Sequence, residues 1–290
     1  MITPHEAYPK LAHAVGAAEF YFKREDLHPY GSHKGRSIPL MIDHYIAAGD
    51  RKFAVTGSGN ASLAAALHIQ KLNEKIPEPF ELEIYVGNHI SEKKLEKIQR
   101  LQNENVRIFS KERPLQALTQ AVDQGYRSLR QSTDDEALVG YESLAEELAT
   151  IKHIAAVFIG TSSGTTAQAL AQYFNKKELS IQVHIVQTSS CHPMADAFDT
   201  FDVPDERSIA DAIFDQTAMR KPKLIPLIEK TGGRGWCVSN SDIQSAIELT
   251  EKHTGVTVSP NSALSVAGAM QASYMGYEID GAIVCMICGD

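Results

Sequence analysis

The feature that most narrows the folds open to this chain is its alternation of short apolar runs with amphipathic stretches of helical length. Strands are predicted over residues 20–23, 53–56, 82–86, 106–109, 154–159, 183–187 and 282–287. Helices are predicted over 37–48, 61–72, 91–102, 114–127, 165–174, 241–253 and 262–274. Strands and helices that alternate at this spacing predict an α/β fold with mainly parallel sheets flanked by helices. A chain of 290 residues suits two lobes better than one small module. The expected division is a larger lobe, 1–43 with 141–290, and a smaller inserted lobe, 44–140. The stretch 196–224 is polar, contains prolines and reads as a long loop, with one more helix predicted over 209–217.

The formal net charge is −8, which repels phosphate backbones and argues against a nucleic-acid partner. No apolar run reaches membrane-spanning length, and the first residues lack a basic-then-apolar leader, so a cytoplasmic protein is expected. Four cysteines (Cys191, Cys237, Cys285, Cys288) are too few for a disulfide framework. Cys285 and Cys288 lie three apart in an apolar run, where a strand turns them to opposite faces. No metal site is expected there.

Three turns are rich in Gly, Ser, Thr and Asn, and ligands collect in such turns at the carboxyl ends of parallel strands. The first, Gly31-Ser32-His33-Lys34-Gly35-Arg36-Ser37, places a lysine at a helix start. The positive end of the helix dipole suits an amine that must attack a carbonyl; a solvated surface lysine is the plainer reading. The second, Thr56-Gly57-Ser58-Gly59-Asn60-Ala61-Ser62, offers amides and hydroxyls to a carboxylate, or is simply a capped helix. The third, Gly160-Thr161-Ser162-Ser163-Gly164-Thr165-Thr166, reads as a phosphate cradle without the ending of a nucleotide P-loop. Its G-x-S-x-G spacing also admits a serine hydrolase, with Ser162 as nucleophile and His253 as base.

Taken in order, these segments resemble the fold-type-II pyridoxal-phosphate enzymes, the tryptophan synthase β-like superfamily. Lys23-Arg24-Glu25-Asp26 followed by the Lys34 turn is similar to that family's lysine segment. Ser58-Gly59-Asn60-Ala61 resembles its substrate loop, and residues 160–165 resemble its phosphate loop. In the C-terminal half, segments 186–194, 208–213, 231–243, 257–263 and 284–289 are most similar to threonine synthases.

The resemblance implies that Lys34 holds pyridoxal 5'-phosphate as a Schiff base and then shuttles a proton. It implies that Gly160, Thr161, Ser162, Ser163, Gly164 and Thr165 hold the phosphate, that Asn60 meets the ring hydroxyl, and that Cys288 faces the ring nitrogen. Thr56, Ser58, Gly59 and Ala61 are implied to receive the carboxylate of a small amino acid. The implied reaction is conversion of O-phosphohomoserine to threonine, with serine or threonine dehydration or β-replacement as the alternative, in a homodimer. Lys23, His33 and Arg36 are candidates for a substrate phosphate.

Three residues depart from the family pattern. His33 replaces an aromatic residue, Ser259 stands where an acid is common, and Cys288 replaces a threonine, as in dehydratases. The sequence ends at Asp290, without the family's C-terminal tail, so no appended regulatory domain is expected. A cofactor-binding protein without turnover is therefore a further reading.

Overall fold

The computed structural model describes residues 1–57, 59–88 and 92–289. Ser58, Ser91 and Asp290, which the sequence reading had placed in a substrate loop, a helix start and the terminal turn, lie outside the described residues. The elements run β1 (His5–Ala7), α1 (Pro9–Val15), β2 (Glu19–Arg24), α2 (Lys34–Ala47), β3 (Lys52–Thr56), α3 (Asn60–Asn73), β4 (Glu81–Gly87), α4 (Glu92–Gln99), β5 (Val106–Lys111) and α5 (Pro114–Asp123). There follow β6 (Arg127–Ser128), α6 (Glu136–Val139), α7 (Glu142–Ala149), β7 (Ile154–Gly160), α8 (Thr165–Lys176), β8 (Gln182–Thr188), α9 (Lys221–Lys230), β9 (Gly235–Val238), α10 (Asn240–Thr254), α11 (Pro260–Tyr274) and β10 (Ala282–Ile287).

The chain divides into unit 1, Met1–His28 with Tyr141–Asp290, and unit 2, Pro29–Gly140. The expected boundary at residue 43 falls inside the continuous helix α2. The division comes instead before that helix, because α2 buries Ile38, Met41 and Ile42 in the core of unit 2.

In unit 1 a six-stranded sheet has the order β1-β2-β10-β7-β8-β9. Only β1 is antiparallel to its neighbour. Helix α11 packs against β7, β8, β9 and β10, while α8 and α9 pack against β8. Strands covered on both faces need apolar residues at every position. This is the pattern of β10, Ala-Ile-Val-Cys-Met-Ile, which is buried throughout.

The sheet of unit 2 runs β5-β4-β3-β6 and is entirely parallel. Side chains alternate across it with the period of a strand. Phe53, Val55, Leu82, Ile84 and Val86 join the core beneath α2 and α3, whereas Ala54 and Tyr85 pack with Ala117, Leu118 and Ala121 of α5.

The helix expected over 209–217 is absent. Side chains take the amides that a helix would use: Asn240 Oδ1 accepts from Ile209 N–H at 2.9 Å, Ser208 Oγ from Ala210 at 3.0 Å and Asn261 Oδ1 from Ala212 at 3.0 Å. Ser162 Oγ accepts from both Phe214 and Asp215, each at 3.2 Å. Such side-chain acceptors compete directly with the i→i−4 ladder. Helix α2 starts at Lys34 rather than 37, which puts Pro39 inside it. Helix α5 stops at Asp123, before Gly125 turns with φ of 89°.

One buried polar cluster fixes a pH response. His184 on β8 is fully buried and stacks on Phe158 at 4.4 Å between ring centroids. Its Nδ1 accepts from Trp236 Nε1–H at 3.1 Å, and its Nε2 lies 3.0 Å from Gln182 Oε1. Burial, and then the charge of Arg234, push its pKa down to about 3 from an ordinary 6.5. The folded state therefore holds neutral imidazole while the unfolded chain takes up a proton below about 6.5. This stabilising contribution is complete above pH 6.5 and is lost as pH falls towards 3. Thermal melts should show a steeper loss of Tm between pH 6.5 and 4 for the native protein than for His184→Gln; parallel curves would contradict this assignment. Gly268 in α11 is equally constrained, since an added Cβ would stand 2.4 Å from Val186 Cγ2. Gly268→Ala should cost about 1–3 kcal/mol in denaturant titration, the usual penalty of overpacking.

Candidate active site

Topology places the chemistry-bearing residues of each unit at the carboxyl edge of its sheet. In unit 2, β3 and β6 run parallel, so their ends deliver Thr56, Gly57, Gly59 and Asn60 and the segment Leu129 to Gln131 to one edge. Helix α2 returns to the start of β3, so its first residue, Lys34, stands at that same edge. The turn before it is held by Tyr30, whose hydroxyl lies 3.0 Å from His68 Nδ1. His68 Nε2 in turn lies 2.8 Å from Asp43 Oδ1. A carboxylate accepts only, so Nε2 carries the proton and Nδ1 accepts from Tyr30. This chain ties α2, α3 and the Lys34 turn together. Burial and the Asp43 charge raise the Tyr30 hydroxyl above its ordinary pKa.

Lys34 is half-buried, and its Nζ donates to Gln131 Oε1 at 2.6 Å. Gln131 Nε2 donates to Ser37 Oγ at 2.7 Å, and Ser37 Oγ donates to Ala137 O at 2.7 Å. The solvated-lysine reading is thereby replaced by an amine held in a buried polar chain. Nothing local to Gln131 marks it in the sequence, because it meets Lys34 from 97 residues away.

Gly57 adopts φ of 95°, and the turn leads into α3 with Gly59 as N-cap and no side-chain cap bond. The amides of the first helical turn, from Asn60 and Ala61, thus begin α3 without a capping side chain. Thr56, Asn60 and Ala61 are half-buried and Gly59 is exposed.

In unit 1, β7 ends in Gly160 and α8 begins at Thr165, with Gly164 as N-cap at φ of 79° and no side-chain cap. A helix start left in this way offers amides to an anion. Thr161 is engaged within the fold: its N–H donates to Val186 O at 2.9 Å and its hydroxyl to Ile159 O at 3.2 Å. Gly160 lies within the β7–β8 ladder, where a Cβ would come 3.0 Å from Asn261 O. Ser162, Ser163, Gly164 and Thr165 follow, with Ser163 Oγ 2.9 Å from Thr165 Oγ1. Ser162 Oγ accepts two amides and keeps its own proton to donate.

Cys288 is half-buried just past the end of β10, which is the direct neighbour of β7. Ser259 caps α11 by accepting from Ser262 N–H and donates to Gly289 O at 3.4 Å, while Ser262 Oγ donates to the same carbonyl at 3.2 Å. A serine at 259 therefore secures the turn that follows Cys288. Cys285 is buried within β10, donates to Ser265 O at 3.2 Å, and burial raises its thiol well above the ordinary pKa.

Two sequence readings fail on geometry. Lys23 is fully buried, ion-paired with Glu147 and donating to Thr3 O at 2.6 Å, so it is spoken for within the core and does not meet a substrate phosphate. The hydrolase pair also separates. Ser162 lies at the carboxyl edge, whereas α10 starts near that edge and carries His253 away over most of its 15 residues, roughly 20 Å at 1.5 Å per residue.

A model of the family described as pyridoxal-phosphate dependent enzyme matches residues 2–289. The threonine synthase of Mycobacterium leprae (strain TN) is 23% identical over 304 residues, spanning 99% of this chain and 81% of that protein. Among solved structures, a pyridoxal 5'-phosphate-dependent aspartate racemase superposes with a TM-score of 0.85 at 19% identity, covering 100% of this chain and 90% of the other. The processed form of threonine deaminase isoform 2 from Solanum lycopersicum gives 0.80 at 21% identity, covering 99% and 83%.

The residues present fit such a cofactor. An aldehyde needs a primary amine, which Lys34 supplies at a helix start. A phosphate needs the uncapped start of α8. Ser32 Oγ, two residues before Lys34, is buried without a hydrogen-bond partner among the described residues, a state native hydroxyls rarely keep and one that suits a polar ligand. Ser162→Ala removes the acceptor shared by Phe214 and Asp215. Limited proteolysis within residues 208–218 should then accelerate by roughly thirtyfold, as expected for two hydrogen bonds worth about 1 kcal/mol each, with Tm changed little because the opening is local. An unaltered cleavage rate would show that Ser162 does not hold this strap.

Proposed function

The chain belongs to the family of pyridoxal-phosphate dependent enzymes, with pyridoxal 5'-phosphate as its cofactor, and we propose that it converts O-phosphohomoserine and water to threonine and phosphate. The amine of Lys34, held by Gln131 at the carboxyl edge of unit 2, is the observation that carries the catalytic part of this reading. The substrate rests on the similarity to a threonine synthase over 99% of the chain.

Bound pyridoxal phosphate supplies an electron sink for the bonds at the substrate's Cα. The roles of the chain's own residues follow from charge. Ser162, Ser163, Gly164 and Thr165 receive the cofactor phosphate at the α8 start, with Gly160 and Thr161 shaping the loop. Lys34 would hold the cofactor through its amine and would take and return the proton at the substrate's Cα. Asn60 would donate to the ring hydroxyl oxygen. Thr56, Ser58, Gly59 and Ala61 would receive the substrate carboxylate through hydroxyls and amides. Cys288 would offer a thiol to the ring nitrogen. It brings no fixed negative charge there, which favours elimination and replacement over transamination.

Dehydration of serine or threonine is the second reading. It is favoured by Cys288, which stands where threonine synthases carry threonine, and by the structural likeness to a threonine deaminase. The purified protein with O-phosphohomoserine should release inorganic phosphate and form threonine in equal amounts. A 2-oxo acid from threonine with no phosphate release would reverse the order of the two readings. Borohydride reduction and peptide mapping should place the cofactor on Lys34, and a label on any other lysine would sink the assignment.

A further inference from the structure

We propose that Gln131 positions the Lys34 amine and that Ser37 sets the direction of the Gln131 amide; this rests on the reading that Lys34 bears the cofactor. The argument is one of donors and acceptors. Ala137 O can only accept, so the Ser37 proton, 2.7 Å away, is committed to it. Ser37 Oγ is then an acceptor towards Gln131, and the Gln131 Nε2 donor must face it at 2.7 Å. The amide carbonyl is thereby turned to Lys34 Nζ, at 2.6 Å.

Lys34 and Ser37 stand three residues apart in α2, on one face of the helix, and Gln131 bridges them from the segment after β6. Ser37 is wholly buried and Gln131 is 6% exposed, so water does not substitute readily for either bond. A lysine side chain carries about 2 kcal/mol of rotamer entropy. An acceptor of fixed direction removes part of that freedom before the amine meets an aldehyde carbon, where a C=N bond forms and one water is expelled.

The experiment follows capture rather than turnover. Cofactor-free protein is mixed with pyridoxal phosphate, reduced with borohydride at timed intervals, and the Lys34 peptide is quantified by mass spectrometry. Gln131→Leu should slow capture about tenfold, because the rotamer freedom returned to the lysine must then be lost on the way to the aldehyde. Ser37→Ala should slow it by a smaller factor. Gln131→Glu, which places a carboxylate against the amine, should keep capture but move its pH profile upward. A merely space-filling glutamine would lower the Tm of the cofactor-free protein and leave the capture rate and pH profile of the folded fraction unchanged, which would overturn the proposal. If Gln131→Leu does not fold, wild-type behaviour of both Ser37→Ala and Gln131→Glu overturns it equally. Absence of label on Lys34 in the native protein would instead defeat the functional reading itself.

Discussion

The parallel ladder around β10 is the constraint on which unit 1 depends. This strand, the last regular element of the chain, pairs with β2 on one side and β7 on the other. Without it the sheet is two fragments, one from the first 24 residues and one from the second half. Its register fixes where β7 ends, and so where the glycine-rich turn begins and where Cys288 falls beside it. Because β2, β10, β7, β8 and β9 all point the same way, their loops share one edge. The uncapped start of α8, the Ser259 cap and the strap at 208–218 are consequences of that shared direction.

Unit 2 solves the same problem with four strands. Its β3 and β6 place the Asn60 turn and the Gln131 segment side by side, and α2 returns Lys34 to the same edge. This edge carries a directed run of hydrogen bonds. The run begins at a carbonyl that can only accept and ends at an amine, and every group between has one orientation open to it. A buried amide and hydroxyl tolerate burial only when satisfied in this way.

The sequence disclosed those parts of the fold whose signal is local. The apolar run 282–287 reads as a strand covered on both faces, and it is β10 residue for residue. Both glycine-rich turns introduce helices where expected. Helix α7 was not anticipated, nor was α9, whose Pro222 and Pro226 mask its pattern, nor the four-residue β9. The false helix at 209–217 had the right spacing of Ile209, Ala210, Ile213 and Phe214. It lost its amides to Asn240, Asn261 and Ser162, residues far away in the chain. For the same reason Gln131 and the engagement of Thr161 were not legible: each depends on a partner that only the sheet brings near. The lobe boundary was misjudged because periodicity shows that α2 is a helix but not which core receives it.

The strap at 208–218 has a consequence of its own. In a helix each hydrogen bond depends on its neighbours, so the segment forms or melts as a block. Here the amides of Ile209, Ala212, Phe214 and Asp215 are held by three separate side chains anchored in different elements. The order of the segment at any point is therefore tied to the side chain that fastens it there, and losing one anchor frees only the amides that anchor holds.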